Sequence, residues 1–142
     1  MLTQQPILGT WRLVSLEGAT VDGHVSYPYG QDALGYLTYG SDGRMSAIIM
    51  SADRPRFPGN DPRGGPAAEK AAAADTFIAY CGTYTLHGGR VVHHVELSLF
   101  PNWVGGDQER FYELDGDRLV IHTGPILIDG EPRTSRLVWQ RA

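Results

Sequence analysis

Glycine- and aspartate-bearing turns cut this chain into short stretches of alternating apolar and polar residues, and that punctuation limits its fold more than any other feature. Asp42-Gly43 separates Gly35–Tyr39 from Arg44–Met50, and Gly88-Gly89 separates Gly82–Leu86 from Arg90–Phe100. Asp115-Gly116-Asp117 does the same between Glu109–Leu114 and Arg118–Thr123. Each is a hairpin signature, because so tight a reversal needs backbone angles that Gly and Asp tolerate. With Gly9–Glu17 at the start and Ser135–Arg141 at the end, about eight antiparallel strands joined mostly by short turns are expected, the pattern of a sandwich or an up-and-down β-barrel. No internal repeat is present.

One stretch breaks the pattern. Ser51–Gly65 is rich in Pro, Gly, Asp and Arg, and the alanine-rich Pro66–Ala79 follows it. Alanine has the highest helix propensity and proline suits the first helical turn, so one helix is predicted over 66–79, inserted between the third and fourth strands. A long loop inside a compact domain acts as a lid or binding loop, or here as a plug closing one end of a barrel.

The 142 residues suit a single domain spanning 1–142. The single cysteine, Cys81, excludes an intramolecular disulfide. Twelve basic and sixteen acidic side chains are scattered, with a net charge of −4. Without a basic stripe, nucleic acid is not an expected partner. No apolar run reaches the ~18 residues of a membrane span, and Met1–Leu8 lacks the basic patch and apolar run of a secretory signal; a soluble, cytoplasmic protein is expected. A glycine-rich phosphate loop, a dinucleotide fingerprint, a Gly-x-Ser-x-Gly elbow and a CxxC pair are all missing, so no cofactor is expected and hydrolase and thiol-redox chemistry lose their usual support. Homodimerisation is left open, because unclosed edge strands would favour it.

Several segments in order carry a resemblance. They are Gly9-Thr10-Trp11, Tyr27-Pro-Tyr-Gly30, Gly35-Tyr-Leu-Thr-Tyr39, Asp42-Gly-Arg-Met-Ser46, the helix leading to Phe77-Ile-Ala-Tyr80, Val92-His-His-Val-Glu96, Pro101-Asn-Trp-Val-Gly105 and Glu113–Leu119. Together, over Leu8–Arg141, they resemble the bacterial lipocalin-like domain family of calycin-type β-barrels. The resemblance implies an all-β, single up-and-down barrel. It also implies that Trp11 closes the barrel's bottom beneath an arginine of the last strand, Arg136 or Arg141. Relatives in that family include both carriers and cofactor-free enzymes.

Candidate chemistry concentrates on Arg90–Phe100. Period-two alternation puts Val91, His93, Val95, Leu97 and Leu99 on one face and Val92, His94, Glu96 and Ser98 on the other. If the apolar face looks inward, the interior is a greasy pocket with His93 as its only polar group. If the mixed face looks inward, His94 and Glu96 form an acid–base pair that burial can tune toward neutral pH. Arg110 and Tyr112 share a face on the next strand and would stabilise developing negative charge. A buried Arg110 would need an anionic partner, either Glu96 or a ligand carboxylate or enolate. On the strand after that, Leu119 and Ile121 compete with Arg118 and His122 for the interior. Tyr36, Tyr39, Tyr80 and Tyr84 are candidate pocket lining, Asn102 and Trp103 candidate rim residues, and Ser98 and His122 candidate polar contacts. A metal site is not expected, because His93 and His94 are adjacent in a strand and point to opposite faces. The leading expectation is binding of a small hydrophobic or aromatic metabolite in the barrel cavity. The alternative is a cofactor-independent isomerase, cyclase or lyase using His94 and Glu96, and the third is an interaction module whose barrel is filled by side chains.

Overall fold

The computed structural model describes residues 6–142. Its elements are β1 (Gly9–Thr20), β2 (Val25–Ser26), β3 (Leu34–Tyr39), β4 (Arg44–Met50), α1 (Ala67–Asp75), β5 (Phe77–His87), β6 (Arg90–Ser98), a 3-10 turn at Pro101–Trp103, β7 (Asp107–Asp115), β8 (Arg118–Thr123), β9 (Ile126–Ile128) and β10 (Glu131–Arg141). Eight strands run in the order β1-β3-β4-β5-β6-β7-β8-β10, and β10 pairs back onto β1 to close an antiparallel barrel. The two extra strands, β2 and β9, are short ribbons on β1 and β10. All three hairpins fall where the turn residues place them. At the first, Gly43 takes φ 83, a left-handed conformation that a side chain would resist.

The helix is shorter than its sequence predicts. α1 ends at Asp75, and Phe77, Ile78 and Ala79 instead pair with Met50, Ile49 and Ile48 in the β4–β5 ladder. Aromatic and β-branched residues gain more from a pleated, half-buried surface than from an exposed helix that buries none of its residues. Arg54 fixes the junction: its Nε donates to Thr76 Oγ1 (3.1 Å), its Nη2 donates to the Ala73 carbonyl (3.0 Å), and its guanidinium lies 5.2 Å from the Phe77 ring centre.

Two irregularities decide which side chains enter the barrel. In β1 the register shifts between Leu13 and Ser15. Strict alternation would put Leu16 opposite Trp11 and Leu13, but the bulge at Val14 turns Leu16 inward and leaves Val14 47% exposed. In the β5–β6 ladder a second shift follows Cys81↔Leu97. There the β6 backbone comes so close that a Cβ on Gly82 would sit 1.8 Å from the His94 carbonyl oxygen. Only glycine fits, and beyond that point Leu97 is turned out, 67% exposed.

One end is sealed. Trp11 is fully buried, its Nε1 donates to the Ile7 carbonyl (3.0 Å), and the Arg141 guanidinium lies 4.2 Å from its ring centre. Arg141 also donates to the carbonyls of Leu8 (2.7 Å) and Pro6 (3.2 Å). Of the two arginines that the resemblance offered for this role, Arg141 fills it, while Arg136 is exposed.

Candidate ligand-binding cavity

Above that seal the barrel is hollow. A cavity of ≈ 1100 Å³ opens among the loops at one end, slightly larger than the usual small-molecule site of about 300–1,000 Å³. Its walls are mainly apolar, with Leu37, Ile49, Ile121 and Trp139 among the lining residues. The mouth is framed by Tyr29, the end of α1, the 3-10 turn with Asn102 and Trp103, and β9. The 51–65 loop lines none of it, so the residues that border the mouth in this region are Ala74 and Asp75 of α1.

A polar cluster interrupts the apolar wall. β6 turns its apolar face inward and brings His93 with it, 2% exposed. His93 Nε2 is 2.6 Å from the Tyr39 hydroxyl, and Nδ1 is 2.6 Å from the Tyr80 hydroxyl. Burial first, then the nearby Arg110 charge and then His94, push the His93 pKa down to about 3. A neutral imidazole has one N–H and one lone pair. One tyrosine hydroxyl therefore donates to the ring and the other accepts from it. Burial is also the main cause that raises the ionisation of Tyr39, well above its ordinary value, and that of Tyr80, so both stay protonated at neutral pH. Arg110, 9% exposed, lines the cavity beside them, and its charge works against the burial that raises the Tyr80 ionisation. Its Nη1 donates to the Glu109 carbonyl (3.1 Å) and its Nη2 to Gln108 Oε1 (2.9 Å).

Of the expected site residues, Arg110, Tyr80, Asn102 and Trp103 line the cavity, and Tyr39 stands behind Tyr80 through His93. Tyr84 is buried deeper: it packs edge-on to Tyr39 at 4.9 Å and donates to the Gly40 carbonyl. Tyr112 is partly buried against the core, with its hydroxyl donating to the Gly88 carbonyl. Ser98 accepts the Phe100 N–H in the turn after β6.

Four of the expected residues lie elsewhere. His94 faces outward and pairs with Asp107 at 2.7 Å, and Glu96 pairs with Arg44 at 3.0 Å across the outer surface. The expected His94–Glu96 pair inside the barrel is therefore corrected: Val91, His93 and Val95 occupy the inward positions of β6, and alternation sends their neighbours out. Tyr36 is on the outside, 54% exposed, because Leu37 and Tyr39 take the inner face of β3. His122 is outside too, since Leu119, Ile121 and Thr123 point in. Sequence reasoning left Tyr29, Thr123, Ser135 and Trp139 out of the site, although all four line the cavity. Among the described residues, no three His, Cys, Asp or Glu side chains group so as to hold a metal ion. Among the described residues, no helix is long and apolar enough to cross a membrane.

A closed eight-stranded antiparallel barrel with a helix between β4 and β5 and a cavity open at one end defines a lipocalin-like protein. The chain belongs to the lipocalin-like domain family, whose model matches residues 8–142. It is 35% identical, over 106 residues, to the 4'-hydroxy-3'-methoxypropiophenone carrier protein ppsC of Aspergillus oryzae (strain ATCC 42149 / RIB 40), a match covering 68% of this chain and 96% of that protein. A crystal structure of a lipocalin-like protein from Bacteroides uniformis ATCC 8492 shares the fold, with a TM-score of 0.50, 14% identity, and coverage of 96% of this chain and 98% of that one.

Proposed function

We propose that this protein binds and carries one small, largely apolar, aromatic molecule in the barrel cavity, with the molecule's polar end on the Tyr80–His93–Arg110 wall. The observation that carries this reading is the cavity itself: ≈ 1100 Å³, open at one end, apolar in its walls and supplied with one buried polar cluster. That is how a ligand is gripped by burial and oriented by a few hydrogen bonds. The relative named as a carrier of a phenolic propiophenone supports the same class of ligand. The isomerase, cyclase or lyase reading depended on His94 and Glu96 acting together inside the barrel, and with both on the outer face binding is the stronger reading.

Thermal unfolding with a panel of aromatic ketones and phenols, including 4'-hydroxy-3'-methoxypropiophenone, tests it. A binder raises the melting temperature in step with the logarithm of its concentration, by ~2.7 kcal/mol of stability at a hundred times its Kd. It should also change the fluorescence of Trp103 and Trp139, which line the cavity. If no compound moves either signal, the barrel is not a carrier of this class.

A further inference from the structure

Arg110 is a buried charge without a counter-charge. It lies on the cavity wall 9% exposed, and the groups its guanidinium donates to, a backbone carbonyl and a side-chain amide oxygen, are neutral. Carboxylates on the adjacent β6 and on the arginine's own strand β7 are engaged outside the barrel: Glu96 with Arg44, and Glu109 and Asp107 with Arg90 and His94. Among the described residues no carboxylate is within salt-bridge distance of Arg110. The titratable groups facing it are Tyr39 on β3, Tyr80 on β5, His93 on β6 and Tyr112 on its own strand. Asp75 and Asp129 border the cavity near its mouth. His93 is held neutral and the hydroxyls of Tyr39 and Tyr80 are held protonated by burial, so neither ring system supplies negative charge. Buried charges are ordinarily paired, because taking an ion out of water is costly unless a counter-ion or full hydrogen bonding compensates. A second group points the same way. Trp139, also in the cavity wall, buries its Nε1–H with no acceptor. The wall thus holds an indole N–H without an acceptor and a cation without a counter-charge, both of which a ligand oxygen bearing negative charge would serve.

We infer that the ligand carries an ionised oxygen acid, a phenolate or a carboxylate, on its apolar body, and that Arg110 receives that oxygen. This rests on the carrier reading above and narrows it to a class of ligand. The guanidinium presents a planar fork of N–H donors matched to such an oxygen, and the apolar walls strengthen the attraction by excluding water. The same wall selects against the neutral form of a weak acid. Binding then lowers the acid's pKa, as an opposite charge within hydrogen-bond reach does.

Umbelliferone, a fluorescent phenol whose phenolate absorbs at longer wavelength than the phenol, is the first probe. Its methyl ether, which cannot ionise, is the second, and naphthoate is the carboxylate probe. Each is titrated into the wild type, Arg110→Met and Arg110→Lys between about pH 6 and 9, a range in which none of His93, Tyr39 and Tyr80 changes charge. Umbelliferone is expected to bind more tightly as pH rises, and its bound form to ionise about 1–3 pH units lower than the free phenol. The ether's affinity stays flat across the range. Arg110→Met abolishes the preference and weakens anion binding about 10- to 100-fold, the span of a charge-assisted hydrogen bond, while ether binding holds and shows that the variant is folded. Arg110→Lys keeps the charge and retains part of the pH dependence. Naphthoate bound in an Arg110-dependent way, with umbelliferone showing no anion preference, assigns the oxygen to a carboxylate. Ether bound as tightly as phenolate and naphthoate, with Arg110→Met silent, overturns the inference and leaves the carrier reading standing. Failure of the wild type to bind any of the three overturns both.

Discussion

His93→Gln should remove most of a specific acid sensitivity from the fold. In the barrel the His93 pKa is pushed down to about 3, and in the unfolded chain it returns to its ordinary 6.5. Between those values the unfolded state binds a proton that the folded state refuses, so stability rises with pH across this window. The contribution is complete above pH 6.5 and is lost as pH falls toward 3. Each pH unit inside the window is worth about 1.4 kcal/mol. At about pH 5 the wild type should therefore have lost ~2 kcal/mol on this account, relative to neutral pH. Little discounting for solvent applies, because the ring is 2% exposed and enclosed by Tyr39 and Tyr80. Glutamine keeps one donor and one acceptor group at the site and does not titrate. Urea unfolding of wild type and variant at about pH 7.5 and 5 separates this loss from whatever the other histidines and carboxylates add, since those are common to both proteins. The wild type should lose ~2 kcal/mol more than His93→Gln on acidification. Equal losses would refute the reasoning, showing that protons and water reach the ring or that the barrel opens before it titrates.

Gly82→Ala should be among the most damaging single-methyl additions, since its Cβ meets the His94 carbonyl oxygen at 1.8 Å. The β5–β6 ladder must separate, at ~3 kcal/mol or more, and a melting temperature within ~2 °C of wild type would contradict the close approach. Arg141→Met removes the cation from Trp11 and the donors to the Leu8 and Pro6 carbonyls, an expected loss of ~2–3 kcal/mol in denaturant unfolding. A loss below ~0.5 kcal/mol would show that the seal rests on apolar packing alone. His94→Ala and Glu96→Ala break exposed pairs with Asp107 and Arg44, so each should cost ~1 kcal/mol or less and leave the affinity of any cavity ligand within about twofold. A tenfold loss of affinity in either would return the pair to the site.

The barrel was legible because its information is local. Asp42-Gly43, Gly88-Gly89 and Asp115-Gly116-Asp117 each set a turn within a few residues, and all three hairpins formed there. What strict alternation could not show was where alternation stops. Val14 reads as an apolar strand residue, and only the β1–β10 pairing, a contact across most of the chain length, shows it to be the bulge that turns Leu16 inward. Phe77-Ile78-Ala79 likewise continues an alanine-rich helix on propensity alone, and the pull toward β4 is tertiary.

The site was less legible for a different reason. The rule that apolar residues face inward assumes that the interior is a solid core, and a barrel that keeps a cavity also admits polar groups there. On β7 that rule would bury Phe111, which the structure leaves 48% exposed, in place of Arg110 and Tyr112. The deciding signal was nevertheless in the sequence, in the register of the β7–β8 hairpin. A turn at Asp115–Asp117 sets Leu114 opposite Leu119, Tyr112 opposite Ile121 and Arg110 opposite Thr123. Directly opposed residues on antiparallel strands share a face. Once Leu119 and Ile121 are committed to the interior, in preference to Arg118 and His122, Tyr112 and Arg110 must enter with them. The same logic across β6, where Val91 stands opposite Arg110, brings His93 to the same side and leaves His94 and Glu96 outside. Reading each strand for its own better face loses this constraint; reading strands in registered pairs recovers both the buried arginine and the histidine beside it.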